Sequence, residues 1–436
     1  MNTKNLSTLK IHKLTQAQYD AAVSNGAIEE DAIYLTPDEG IDLNVYMTKE
    51  NPTGTGSLSM NRKAETEVGN YSTTLGYGGT AGEFATAECA YTVATGSASH
   101  AEGLSTKALG ASSHAEGMGT TAEGQRSHAE GHGGIANGSS SHVEGTSTVA
   151  NGTGAHAEGN NTIAEGTNAH TEGHTTFAVG SYTHAEGNVT AASGEGAHVE
   201  GVGSYFTLTL TGAANTKTYT YATDKEYNLM QGVVIKYNNH VYYVTSLNTD
   251  NNTLTLNKTA SSSSALNAAT AYCYYTGAFG MGAHAEGINT IASGDAAHAE
   301  GEGSKAFGDN SHAEGGWTKA SGKYSHAEGT DTVVSGYCSH VEGEYAYAIG
   351  DHQHVQGKYN IEDTTSAHIV GNGTNYNAQS NAHTLDWEGN AWFAGDVYVG
   401  STSGTNKDEG SKKLMTEDGG TMTGVLILSE DPTENL

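Results

Sequence analysis

The chain has 436 residues, with 49 acidic against 19 basic side chains and a formal charge of −30 when histidine is neutral. That balance excludes an electrostatic hold on nucleic acid or on an anionic membrane surface, and it favours solubility and divalent cations. Glycine is abundant at 59 residues and proline scarce at 3, which fits repeated bends rather than disorder. Cys89, Cys273 and Cys338 lie too far apart to imply a disulfide framework.

The chain opens Met1-Asn2-Thr3-Lys4 without an apolar h-region, so no secretory signal is expected. No apolar run is long enough for a transmembrane helix, so no membrane insertion is expected either. Residues 1–45 form a unit of their own. Leu9 to Leu14 reads as a strand, Thr15 as the N-cap of a helix ending near Gly26, and Asp31 to Pro37 as a second strand. Residues 46–98 read as the degenerate first coils of a repeat array that becomes regular at Ser99. Gly82 and Gly96 keep the spacing of that array, and Ala87-Glu88-Cys89 mimics Ala-Glu-Gly, with Cys89 expected as a small filler.

From Ser99 a pentapeptide, Ser-His-Ala-Glu-Gly, recurs in close variants every fourteen residues. Its histidines run from His100 to His198 and again from His284 to His368, fifteen positions without a slip inside either block. These are the blocks 99–201 and 277–371. Each unit has two halves of the form x-small-x-Gly, such as His100-Ala101-Glu102-Gly103 and Lys107-Ala108-Leu109-Gly110. Alternation around a small apolar residue predicts short strands with one face inward. Glycine closing each half supplies a tight bend or a positive φ. A helix is excluded, since a glycine every seven residues would cost about 1 kcal/mol each. The expected fold is all-β: a parallel β-roll or β-solenoid of stacked coils about 4.8 Å apart, forming a rod of roughly 70 Å. The inward residues are mostly alanine. Burying a methyl contributes about 0.8 kcal/mol, against about 1–2 kcal/mol to order each residue. Several chains are therefore expected to share a core, as a homotrimer.

Between the blocks, residues 202–276 replace the bend of one coil: His198-Val199-Glu200-Gly201 is a first half whose second half is Ala278-Phe279-Gly280. The insert holds 10 of the 24 tyrosines and reads as a small antiparallel β domain, with turns at Asn238-Asn239 and Asp250-Asn251-Asn252. Tyrosine-rich surfaces favour recognition, including stacking on sugars. Tyr219, Tyr221, Tyr237, Tyr242, Tyr243, Tyr274 and Tyr275 are the candidate receptor-binding residues, with packing inside the insert as the competing role. After the last coils, residues 372–400 read as a C-terminal β cap in which Trp387, Trp392 and Phe393 would plug the end of the rod. Residues 401–436 read as a polar hinge leading to further chain.

The doubled small-x-Gly half-repeat resembles the head repeat of trimeric autotransporter adhesins, which implies a left-handed parallel β-roll of three chains. The Ser-His-Ala-Glu-Gly version is similar to repeats of bacteriophage tail-fibre and related appendage proteins. The likeness covers roughly residues 60–371, apart from the insert. Residues 1–45 resemble an N-terminal segment of phage fibre and baseplate proteins, and Gly419 to Gly424 a hinge of tail fibres. A surface adhesin would need a signal and an anchor. The resemblance therefore implies a virion fibre attached to tail, baseplate or capsid through its N-terminus. It would be extracellular after release and would bind a host surface glycan or protein. The alternatives are a capsid-attached head fibre, a bacterial surface adhesin and a polysaccharide-degrading tailspike.

No nucleophile elbow, phosphate loop or zinc-spaced cysteine set stands out, so the expectation is a non-enzyme without an obligatory cofactor. His-x-Glu occurs thirteen times, as in His100/Glu102, His114/Glu116 and His128/Glu130. Alternation puts both side chains on the outward face. Their expected role is a ladder of hydrogen bonds between adjacent coils or chains, with each glutamate raising the pKa of its histidine and the rod weakening in acid. A metal ladder is the alternative. Separately, His352-Gln353-His354 is an H-x-H that resembles the transition-metal site of similar trimeric fibres.

Overall fold

A computed structural model gives the fold. It describes residues 71–212, 216–222, 229–237, 240–259, 269–274 and 276–395. Outside them it describes positions 10–13, 18, 21–22, 24–25, 32–35, 58–60, 69, 397–399 and 412–415. Two compact units divide the chain, Met1–Gly282 and Ala283–Leu436.

The protein is an all-β solenoid. In the first unit each regular coil contributes two short strands, such as His114–Ala115 and Thr121–Ala122. His114–Ala115 pairs in parallel with His100–Ala101 and with His128–Ala129. Thr121–Ala122 pairs with Lys107–Ala108 and Ile135–Ala136. Histidine therefore lies on histidine and alanine on alanine, and backbone donors are used from coil to coil: His100 N–H donates to Ser113 O at 2.9 Å and Glu102 N–H to Ala115 O at 2.9 Å. Ala101, Ala108, Ala115 and Ala122 are fully buried.

Two further columns point inward, and they are polar. Ser99 and Thr106 are buried. Ser99 Oγ donates to Gly96 O at 2.7 Å, and Ser127 and Ser141 repeat the bond at 2.7 Å to Gly124 O and Gly138 O. Thr106 Oγ1 donates to Glu102 O at 3.0 Å, and Thr120 Oγ1 to Glu116 O at 2.9 Å. The serine of the pentapeptide thus satisfies the turn before it, and the threonine the turn after it. The bonds are made at some coils only, since Thr92, Ser113, Thr148, Thr162 and Thr176 bury a hydroxyl without a hydrogen-bond partner.

The two glycine columns have different causes. Gly103 and Gly117 sit at φ +104° and +96°, a left-handed conformation. Gly110 and Gly124 do not; there a Cβ would lie 2.0 Å and 1.9 Å from the carbonyl oxygen of the next coil. The bends also carry positive φ on other residues, including Ala98, Ser112, Arg126 and Tyr182.

The first coils are shorter. Thr73-Thr74-Leu75 pairs with Thr86-Ala87-Glu88, a step of thirteen residues, before Thr86 pairs with His100 at fourteen. Cys89 is exposed at φ +73°, so it occupies a bend and is not the small filler expected of it. Farther toward the N-terminus, Lys10–Lys13 runs parallel to Ala32–Leu35, with helical residues at 18, 21, 22 and 24 between them.

Six strands form a closed antiparallel barrel in the insert, in the order Tyr205–Thr211, Thr218–Tyr221, Thr253–Leu256, His240–Asn248, Val234–Tyr237, Ala269–Tyr274. The turn at Asn238-Asn239 lies outside the described residues. Leu208, Leu210, Ile235, Val244, Leu254 and Leu256 fill the barrel core. After it, Gly277 and Ala278 pair in parallel with Ala191 and Ala192. The barrel rests on the outer side of the second strand column. Phe177 is fully buried there, 4.5 Å from the Tyr274 ring. Ser193 Oγ donates to Gly232 O at 2.6 Å, and Lys258 forms an ion pair with Glu165.

In the second unit the first strands lengthen to five residues, as in His284–Ile288 paired with His298–Glu302. The stack closes where Ser366–Asn372 pairs in parallel with His354–Lys358 and antiparallel with Asn381–Asp386, which pairs in turn with Ala391–Phe393. Gln353, buried beneath this end, receives N–H bonds from Ile349 and Gly350 and donates to Asp363 O at 2.6 Å and Ser366 O at 2.8 Å. Trp387, Trp392 and Phe393 are 56%, 55% and 53% exposed, so within one chain they do not plug the stack. The hinge expected over 401–436 lies outside the described residues, except Lys412–Met415, which pairs with Val397–Val399.

Candidate functional site

Two surfaces concentrate chemistry: the His–Glu columns and the tyrosines of the insert. The parallel register stacks the imidazoles of His100, His114 and His128 with ring centroids 4.9 and 4.8 Å apart and planes within 2°. The second unit repeats this from His284 to His354. Carboxylates flank the rings: His114 Nε2 is 3.8 Å from Glu102, His128 Nε2 is 3.5 Å from Glu116, and His184 Nε2 is 3.8 Å from Glu186. These separations exceed a hydrogen bond. Within one chain the imidazoles are therefore joined to one another by ring stacking and to the carboxylates by charge proximity.

The protonation pattern reverses the expected rise in histidine pKa. Burial, followed by neighbouring imidazoles, lowers the pKa of His114, His156 and His184 below its usual value, and the glutamates do not offset it. The glutamate column alternates. Hydrogen bonding to Glu144 and Glu116 pushes Glu130 up to about 7, and contact with Glu172 and Glu200 pushes Glu186 up to about 8. Burial and the same kind of contact take Glu158 to about 7. Hydrogen bonds from these carboxyls hold Glu116, Glu144 and Glu172 below the usual value. From Glu116 to Glu186 the shifts thus alternate in direction, because each carboxyl hydrogen-bonds to the carboxyls of the coils on either side. Glu328 and Glu314 repeat the pattern in the second unit.

These shifts set the sign of the pH dependence. A raised Glu130, Glu158 or Glu186 contributes stability that is present below its unfolded pKa and is lost as pH rises through about 7 to 8. A lowered histidine contributes above its unfolded pKa and loses that contribution as pH falls below it. The lowered glutamates lose theirs only in stronger acid. These side chains are about one-third exposed, so water and salt screen the effect. The melting temperature will be higher near about pH 7, above the histidine window, than near about pH 8.5, and a triple Glu→Gln substitution at 130, 158 and 186 will narrow the gap. A melting temperature that rises over that interval would contradict this pattern.

His156, Glu158 and His170 place one ligand atom each within 4.8 Å of one another, as do His298, Glu300 and His312. Imidazole and carboxylate suit transition metals. The stacked rings, however, point their lone pairs in parallel, and adjacent triplets share a histidine. Binding would need ring rotation, and could fill only alternate triplets. His352 and His354 face different neighbours. His352 sits in a bend at φ +58° with its ring 5.4 Å from Tyr337, whereas His354 stacks on His340 and lies 3.8 Å from Glu342. Beside the column, an open groove of ≈ 700 Å³ runs along Glu300, Glu314, Glu328 and Glu342.

Of the candidate tyrosines, Tyr219, Tyr221, Tyr242 and Tyr274 are buried at 2–5% exposure. Alternation puts Tyr219, Tyr221 and Tyr242 on the inner faces of their strands, where they pack the barrel, whereas Tyr274 shares the outer face of its strand with Tyr272 and packs the seat against Phe177. Tyr237 and Tyr243 are half-buried. Tyr275 lies outside the described residues. Among the described residues of the insert, the exposed tyrosine rings are Tyr205 and Tyr272, at 50% and 44%, which the candidate set omitted. Both border a cleft of ≈ 410 Å³ between barrel and coils, together with Asn161, His174 and Lys236.

A solenoid of fourteen-residue coils built on small-x-Gly halves defines a class of repeat protein. The family described as the YadA head domain repeat matches residues 101–127, 144–169, 157–183 and 285–311. These segments of both coil blocks are similar to YadA head repeats. No curated protein shows a significant match to it.

Proposed function

We propose that this chain is part of an adhesin-like fibre displayed on a bacterial surface, made of three copies, with the inserted barrel held out laterally for attachment. The observation that supports it is the recurrence of the adhesin head repeat in both coil blocks. The trimer has physical support as well. The inward columns are alanine, serine and threonine. The exposed Trp387, Trp392 and Phe393 are apolar surface that neighbouring copies would cover. The role assigned is binding, not catalysis.

A virion fibre on tail or head is the second reading, favoured by the Ser-His-Ala-Glu-Gly form of the pentapeptide. Immunogold labelling of intact producing cells and of released particles separates the two. Label on the surface of intact cells is the expected result. Label confined to virions would transfer the fibre to the phage, and label confined to the cell interior would overturn both readings.

A further inference from the structure

The cleft beneath the barrel differs in charge from the rest of the chain. In a protein of net charge −30, no carboxylate lines it among the described residues. Lys236 reaches into it. Its Nζ donates to Asn161 Oδ1 at 2.7 Å and lies 5.2 Å over the Phe177 ring, so both partners are neutral. The ammonium is half-buried, and desolvation lowers its pKa. A cation so placed gains from an incoming anion more than a solvated one does.

Aromatic surface faces the same space. The Tyr205 ring lies 5.4 Å from Tyr272 at 73°, and 5.7 Å from Tyr274 at 40°. These rings form an angled wall with two exposed faces, suited to the C–H faces of sugar rings. His174, exposed at the rim, and Asn161 add polar partners. A volume of ≈ 410 Å³ falls in the usual range of small-ligand sites. The shaft supplies Asn161 and His174, and the barrel supplies Lys236, Tyr205 and Tyr272, so the cleft exists only because the barrel is seated on the coils.

We propose that this cleft binds an acidic saccharide, with the sugar carboxylate on Lys236 Nζ and the sugar rings against Tyr205 and Tyr272. The proposal deepens the surface-fibre reading and rests on it for its biological sense. An aromatic wall beside a single cation distinguishes a saccharide from an acidic peptide, which needs charge more than ring faces.

The test is calorimetry on the full chain with a glucuronate–N-acetylglucosamine tetrasaccharide, a galacturonate tetramer and sialyllactose, each beside its carboxyl-reduced form. At least one acidic sugar should bind, and its reduced form should bind about tenfold or more weakly. Lys236→Met, which keeps the stem over Phe177, should lose binding by a similar factor. Tyr272→Ala should also weaken it, while melting temperature and mass stay those of the parent. Binding of none of the acidic sugars overturns the proposal. So does equal binding by Lys236→Met, or by a tetraglutamate peptide that Tyr272→Ala leaves unaffected. Cell labelling reads the fibre assignment separately. Surface label without sugar binding removes the cleft alone, and sugar binding by a protein found only on virions keeps the cleft and moves the fibre.

Discussion

Replacing Gly124 by alanine will break the stack, whereas the same replacement at Gly119 will be mild. At Gly124 the added Cβ would lie 1.9 Å from Gly138 O and 2.4 Å from Gly138 C. Both atoms are backbone of the next coil, fixed by ladder hydrogen bonds on either side, so no flexible side chain can yield. The coils must separate, and Gly124 N–H donates to Ala136 O across that joint. The expected loss is at least about 4 kcal/mol, in the range reserved for named structural failures. Gly119 sits at φ +68° with nothing within 4 Å of its added Cβ. Its cost is the left-handed backbone alone, about 1–2 kcal/mol. Ser105 and Ser147 hold the equivalent bend at φ +58° and +55°. Each coil touches only its neighbours, so damage at Gly124 will be local. Hydrogen exchange should show lost protection around residues 110–152 while the second unit keeps its own. Equal melting temperatures for the two variants would contradict this account of the glycines.

Phe177→Ala has the next largest expected effect. The ring is fully buried against Tyr274 and under Lys236 Nζ. Its removal leaves a cavity in the seat of the barrel, at about 3–5 kcal/mol. The loss should fall on the seat and leave the far coils intact. Limited proteolysis should cut the junctions near residues 202 and 276 faster, and sugar binding should disappear together with the cleft. Unchanged cleavage at those junctions would mean that the barrel is held by something other than this contact.

The coil register was legible in the sequence because a strict period leaves one stacking solution: His100 on His114, Ala101 on Ala115. The inward serines and threonines were not, because polarity suggests exposure and their local bonds to Gly96 O and Glu102 O appear only once the turns exist. The insert's seat had a signal that went unread. The outward residue of the second half-coil runs Lys107, Thr121, Ile135, Val149, Ile163, Phe177, Ala191, turning apolar where the barrel will cover it. The tyrosines misled for a related reason. In Thr218-Tyr219-Thr220-Tyr221 alternation puts both rings on one face, and that face is the inside. Contact along the glutamate column depends on carboxyls one coil apart, a distance the period implies, yet its effect on their pKa values follows only from the stacked geometry.

Everything proposed about the fibre depends on coils whose inward columns hold little carbon. Sedimentation equilibrium of the full chain at low concentration tests this most directly. The expected particle is three folded chains of 45.0 kDa each. A single folded chain of 45.0 kDa, with the coil hydrogen bonds protected from exchange, would contradict it.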